Sequence, residues 1–228
     1  TNAAVAGLLL EDCTIAPEHT SHTTNCIEGH HFTLRRVNSY HGVDLCSVIA
    51  PADFTRADVV VEGSWLHDPA MYNTPVQADN LTHNDVIQWH GMKGLTVNGS
   101  RLEGLCAPGI GVVDTPPVGT WPASLVSGNP FYPNRWATSV VMASPPRAAF
   151  DDFVFTNNWL DGAAAGLVLT HTPPGPFDDC GTITGNRFGY DWRNGPDFGV
   201  LAKAAQTMTL EGNVRWNKAD PWDVSIPF

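Results

Sequence analysis

One short pattern recurs along this chain and restricts its fold more than any other feature: apolar, any residue, Gly/Asn/Asp, any, any, apolar. It stands as Leu10-Glu11-Asp12-Cys13-Thr14-Ile15, Val61-Glu62-Gly63-Ser64-Trp65-Leu66 and Val97-Asn98-Gly99-Ser100-Arg101-Leu102. It returns as Phe155-Thr156-Asn157-Asn158-Trp159-Leu160, Ile183-Thr184-Gly185-Asn186-Arg187-Phe188 and Leu210-Glu211-Gly212-Asn213-Val214-Arg215, the last closing one residue late on Trp216. A degenerate copy, Phe32-Thr33-Leu34-Arg35-Arg36-Val37, fills the early gap. The anchoring apolar residues stand at 10, 34, 61, 97, 155, 183 and 210, at intervals of 24, 27, 36, 58, 28 and 27 residues.

Alternation before the Gly/Asn/Asp marks a short strand with one buried face. Gly, Asn and Asp tolerate left-handed backbone angles, so the chain turns a tight corner there before an apolar residue re-enters the core. A unit repeated every two dozen or so residues buries its apolar face only against its neighbours, which is the mark of a solenoid. The 18 prolines and 21 glycines interrupt any helical period. Further strands sit between the copies. One set comprises Gly42-Val43-Asp44-Leu45, Asp85-Val86-Ile87-Gln88, Gly166-Leu167-Val168-Leu169 and Gly199-Val200-Leu201; another includes Asn25-Cys26-Ile27 and Ser139-Val140-Val141-Met142. Two to three strands per turn in constant order predict an all-β fold, a parallel β-helix of about seven coils rising ~4.8 Å each, as one domain over 1–228.

The 58-residue interval contains an excursion, 105–150, with eight prolines together with Trp121, Phe131, Tyr132 and Trp136. Insertions in solenoids map to loops on one face, often the binding face; a cover over the solenoid or a subunit contact is the alternative. The first residues, Thr1-Asn2-Ala3-Ala4, carry no initiator Met and no signal-type run, so the chain reads as a fragment or processed product of a longer one.

Composition narrows the partners. The net charge is -11 with only 12 scattered basic residues, which argues against nucleic acid, since phosphate neutralisation requires clustered Lys and Arg. No run of 18 apolar residues is present, so no membrane span is expected. The five cysteines are sparse and odd in number and read mainly as small buried hydrophobes, with one bridge possible.

The repeats resemble the right-handed parallel β-helix superfamily of pectate-lyase-like proteins. The stretch Thr82-His83-Asn84-Asp85-Val86-Ile87-Gln88 followed by Gly94-Leu95-Thr96-Val97-Asn98-Gly99-Ser100-Arg101-Leu102-Glu103-Gly104 is similar to one found in β-helix minor tail proteins of actinobacterial phages and related secreted bacterial proteins, and Gly185-Asn186-Arg187-Phe188-Gly189 fits the same group. The resemblance implies a right-handed coil and nearly covers the chain. Its functional reach is short, because β-helices host lyases, hydrolases, epimerases, adhesins and virion spikes alike.

The local constellation of interest is His83, Asn84, Asp85, Gln88 and His90. On a strand, His83 shares its face with Asp85. The two could form an acid/base pair, bind a metal or hydrogen-bond sugar hydroxyls; alternatively they satisfy backbone groups at a corner. His83 and Asp85 are therefore the candidate catalytic residues. Asn84, Gln88, Trp89, His90, Trp121 and Trp136 are the candidate carbohydrate contacts, and no metal site or cofactor is expected. Asp151, Asp152, Asp178 and Asp179 read as turn residues, and adjacent carboxylates on a strand point to opposite faces and form no dyad. His30 and His31 read as stacked polar or buried histidines. The motif sets of polygalacturonases and the calcium cluster of pectate lyases are not evident. Trp65 and Trp159 occupy equivalent places in the repeat and are expected to stack as neighbours. The acidic balance favours neutral or weakly basic glycans.

These readings lead to a phage tail- or spike-type module recognising a host-surface polysaccharide, commonly homotrimeric, in a virion tail or outside the cell. The alternatives are a polysaccharide lyase or glycoside hydrolase in the lateral groove, and a structural virion or adhesin shaft.

Overall fold

A computed structural model describes residues 7–19, 21–49, 56–72, 82, 84–89, 93–106, 135–143, 152–170, 181–189, 200–203 and 209–215. Among them there is no helix, and the strands form three sheets. The first sheet stacks β1 (Leu8–Glu11), β4 (Phe32–Arg35), β7 (Arg56–Glu62), β10 (Lys93–Asn98), β14 (Phe153–Thr156), β17 (Thr182–Thr184) and β20 (Thr209–Glu211). The second stacks β2 (Thr14–Ile15), β5 (Asn38–Ser39), β8 (Trp65–Leu66), β11 (Arg101–Glu103), β15 (Trp159–Asp161), β18 (Arg187–Phe188) and β21 (Val214–Arg215). The third stacks β3 (Glu28–Gly29), β6 (Cys46–Val48), β9 (Asp85–Trp89), β13 (Arg135–Ala143), β16 (Ala163–Thr170) and β19 (Val200–Lys203), while β12 (Leu105–Cys106) pairs antiparallel with the start of β13. All other pairings are parallel, and the chain visits the sheets in a constant rotation, a topology compatible with a parallel β-helix.

The repeat supplies the register. Leu10, Leu34, Val61, Val97, Phe155, Ile183 and Leu210 stand in one continuous row across the first sheet. Two residues later every copy enters the left-handed region: Asp12 (φ 51), Arg36 (φ 53), Gly63 (φ 55), Gly99 (φ 59), Asn157 (φ 56), Gly185 (φ 66) and Gly212 (φ 63). This corner carries the chain from the first sheet to the second. It is inexpensive for Gly and Asn and costs more for Arg36, whose guanidinium binds Glu11 and Asp12 of the preceding copy.

Two details of the repeat depart from the sequence reading. In the degenerate copy the residue that re-enters the core is Ser39, paired with Ile15 and Leu66, whereas Val37 lies inside the corner. In the last copy Arg215, paired with Phe188, holds the place assigned to Trp216; Trp216 lies outside the described residues. The two sets of additional strands also merge: the described members all belong to the third sheet or lead into it. Within the proline-rich stretch, 135–143 is strand β13 of that sheet, while 107–134 and 144–150 lie outside the described residues.

The interior between the sheets is aromatic at its centre. Trp89 of the third sheet stacks on Phe153 of the first at 5.1 Å between ring centroids, and Phe153 on Phe155 at 5.9 Å. Leu34, Val61, Val97, Leu66, Leu102, Leu160 and Phe188 fill the rest without solvent exposure. Cys46 is buried, and Cys13 and Cys26 pack half-buried against the same core as free thiols.

From the third copy onward, the residue after the left-handed one (Ser64, Ser100, Asn158, Asn186, Asn213) turns a polar side chain inward to form a ladder, whereas Cys13 and Val37 hold that place in the first two copies. The backbone N–H of Val37 donates to Ser64 Oγ, that of Ser64 to Ser100 Oγ and that of Ser100 to Asn158 Oδ1. The N–H of Asn158 then donates to Asn186 Oδ1, and that of Asn186 to Asn213 Oδ1. The asparagine amides also donate to the carbonyls of Val97, Phe155 and Ile183. Corner N–H groups that would otherwise be buried without partners are thereby satisfied.

Candidate functional site

The second sheet is two to three residues wide, so a single apolar residue per strand faces inward and its flanking residues face out. Leu66, Leu102, Leu160 and Phe188 are the inward residues. The residue before each is exposed to the outer face, and in register these read Asn38, Trp65, Arg101, Trp159, Arg187. Arg101 stands between the two tryptophans on neighbouring strands, so Trp65 and Trp159 do not stack on each other as expected. Instead, each ring carries a cation. The Arg101 guanidinium lies 5.3 Å from the centroid of Trp65, and that of Arg187 lies 5.1 Å from Trp159.

The residue after each inward position forms a second outer row: Tyr40, His67, Glu103 and Asp161. Glu103 fixes the first row. Its Oε2 accepts from Trp65 Nε1 at 2.9 Å and its Oε1 from Arg101 Nη2 at 2.9 Å. His67 stacks on Trp65 with centroids 3.8 Å apart and contacts the Tyr40 ring at 5.2 Å. The His67 ring is itself held between Asp68 Oδ2 at 2.6 Å and Asn38 Oδ1 at 2.8 Å. Asp161 is buried over Gly189, where a β-carbon would come within 2.3 Å of its carboxyl group. Between the tryptophans opens a hollow of about 350 Å³, floored by Gly63, Ser64 and Gly99 and walled by Trp65, Arg101 and Trp159. Trp65 is 41% exposed there. The arrangement sets ordered indole rings, Trp65 the more exposed, beside ordered guanidiniums, a chemistry that suits a sugar at their edges.

Those of the residues singled out from the sequence whose side chains are described, Asn84, Asp85, Gln88 and Trp89, belong to the third sheet or lead into it. His83, His90 and Trp121 lie outside the described residues. Trp136 is in β13, its backbone opposite Leu105. Asn84 and Asp85 are buried. Asn84 Nδ2 donates to the Ala70 carbonyl and its Oδ1 accepts from Thr82 Oγ1 at 2.6 Å. Gln88 Nε2 reaches Asp85 Oδ2 at 3.4 Å. Trp89 departs from expectation: it is an inward residue of β9 and belongs to the core stack, because the period of β9 places positions 85, 87 and 89 on one face. Asp44 satisfies a backbone group at this place: its Oδ1 accepts from the Asp85 N–H at 2.9 Å. Burial, with the negative charge of Glu28 nearby, pushes the Asp44 carboxyl up to about 6 against the pull of that hydrogen bond.

The outer row escaped the sequence reading although its signal is present. The fifth residue of the four consecutive copies beginning at Val61, Val97, Phe155 and Ile183 reads Trp65, Arg101, Trp159, Arg187, an alternation of ring and cation. Among the described residues, no group of three or more His, Cys, Asp or Glu side chains is placed to hold a metal ion, and no helix is long and apolar enough to cross a membrane. Neither protein-family models, nor curated proteins, nor solved structures give a match to this chain.

Proposed function

We propose that the three sheets close into a right-handed parallel β-helix of about seven coils, and that this chain is a tail- or spike-type module binding a cell-surface polysaccharide across the outer face of its second sheet. The observation that carries this reading is the hollow walled by Trp65, Arg101 and Trp159. The exposed Trp65 ring, fixed by its hydrogen bond to Glu103, loses little entropy when a sugar settles beside it, and the half-buried Trp159 two strands on extends the platform along the stack, as a polymer requires. Homotrimeric assembly and a place on a virion tail or outside the cell belong to the same proposal.

Cleavage is the second reading. Glu103 and Asp161 are in register on adjacent strands beside the hollow, and paired carboxylates about 5–9.5 Å apart hydrolyse glycosidic bonds. Both Glu103 oxygens, however, accept hydrogen bonds from Trp65 and Arg101. That is the work of a group that positions a binding surface, so binding is preferred.

Trp65→Ala and Trp159→Ala are each expected to weaken binding to purified cell-envelope polysaccharide by roughly 10- to 30-fold, the loss typical of an aromatic anchor, with little change in melting temperature for the exposed Trp65. Isothermal titration with the full chain reads both. Undiminished binding by the two variants would sink the assignment of this face, and release of reducing ends or of unsaturated products would move the reading from binding to cleavage.

A further inference from the structure

The alternation on the second sheet has a period of two strands. With a rise of ~4.8 Å per strand, successive tryptophans stand ~10 Å apart, and so do successive arginines, each guanidinium lying against its ring. A pyranose in an extended polysaccharide advances by close to one strand spacing. A chain lying across the strands therefore meets a ring and a cation in alternation, sugar by sugar. Arg101 gives one guanidinium edge to Glu103 and keeps a side chain 49% exposed. Among the described residues no carboxylate forms an ion pair with Arg187. Two preoriented guanidiniums on the outer face of an acidic chain mark a local preference opposite to that of the net charge of -11.

We infer that this face selects an extended polysaccharide carrying one carboxylate on every second sugar, the charged residues engaging Arg101 and Arg187 and the uncharged ones lying at Trp65 and Trp159. The inference rests on the glycan-binding reading and adds a substrate class to it: an alternating uronate polymer, neither a neutral glycan nor one charged at every residue. The chemistry is that of the guanidinium fork, which pairs a carboxylate through two parallel hydrogen bonds that an ammonium cannot reproduce. Placed over indole rings, the forks are ordered before the ligand arrives.

The test titrates the full chain with length-matched oligosaccharides of three kinds: hyaluronan and unsulfated chondroitin, with alternating uronates; oligogalacturonate, charged at every residue; and cello-oligosaccharide, uncharged. The alternating polymers are expected to bind roughly tenfold or more tightly than either other kind, and less tightly as salt screens the charges. Arg101→Gln and Arg187→Gln should each cost roughly tenfold toward the alternating polymers and clearly less toward the neutral one. Arg187→Lys should restore only part of the loss, and thermal melting should not move for any of them. Equal or tighter binding of the neutral or fully charged oligosaccharides, or indifference to the arginine substitutions, overturns this inference and leaves the glycan-binding reading standing. If neither these oligosaccharides nor cell-envelope polysaccharide binds, and Trp65→Ala changes nothing, the glycan-binding reading fails and this inference with it.

Discussion

Replacing Asn158 with Ala is expected to lower the stability of the fold by about 3–4 kcal/mol, a fall of roughly 10 °C in melting temperature for a domain of this size. Asn158 is buried without exposure at the middle of the ladder. Its Oδ1 takes the Ser100 N–H at 2.9 Å, and its Nδ2 donates to the Val97 carbonyl at 3.0 Å and to Asn186 Oδ1 at 3.1 Å. Truncation leaves a buried donor and a buried acceptor without partners, each costing about 1–3 kcal/mol, and opens a small cavity beside them. Asn158→Ser is the informative control. Serine does this work at positions 64 and 100, so a hydroxyl at 158 should recover part of the loss by accepting from Ser100. Urea denaturation measures the global effect, and hydrogen exchange at the Ser100 amide measures the local one. An Ala variant as stable as the parent, with that amide still protected, would show that the ladder merely occupies space.

The second large effect concerns pH. Asp44 is only 6% exposed, and its carboxyl is pushed up to about 6 by burial, opposed by the hydrogen bond from the Asp85 backbone and aided by Glu28. In the unfolded chain an aspartate titrates near 3.9. The folded state therefore holds the proton more tightly, and stability falls as pH rises from about 4 to about 6, with the loss complete above that window. Asp44→Asn keeps an oxygen to accept the Asp85 N–H and removes the buried charge. It is expected to be more stable than the parent by about 2–3 kcal/mol at pH 7.5, to match it near pH 4, and to lack the slope between. Denaturant midpoints across that range read the result. A variant that is less stable at pH 7.5 would mean that the charge serves an interaction stronger than its desolvation cost.

The sheets were legible to different degrees for physical reasons. The first two are joined by a corner that demands a left-handed residue, shared by every copy from Asp12 to Gly212, and from Ser64 onward by an inward polar residue after it. Arg36 is the copy that obscures it: a long cation occupies a place suited to Gly, and Val37 imitates the apolar residue that elsewhere re-enters the core, although Ser39 holds that position. The third sheet is reached through connections of unequal length, with no shared corner to mark its strands, which is why its members looked like two sets. The candidate site was legible only in part. His83 and Asp85 attracted notice because their side chains carry chemistry, yet Asp85 is buried beside Asp44. Trp65 and Trp159 were legible as equivalent places in the repeat, but only the register of the strands sets Arg101 between them and Arg187 after them in one row. Trp89 shows the converse: an aromatic beside polar residues reads as a platform, but two residues along the strand from Ile87 it can only enter the core.

The ladder also has a direction. From Val37 to Asn186, every corner amide donates to a side chain that comes later in the chain. During synthesis, a corner that has just left the ribosome holds an amide whose acceptor has not yet been translated. Each turn is finished by its successor, so the growing edge keeps one open donor that the next turn alone can close. A chain that emerges N-terminus first therefore completes each corner amide only as the following copy arrives, like a zip fastener whose every tooth is caught by the one after it.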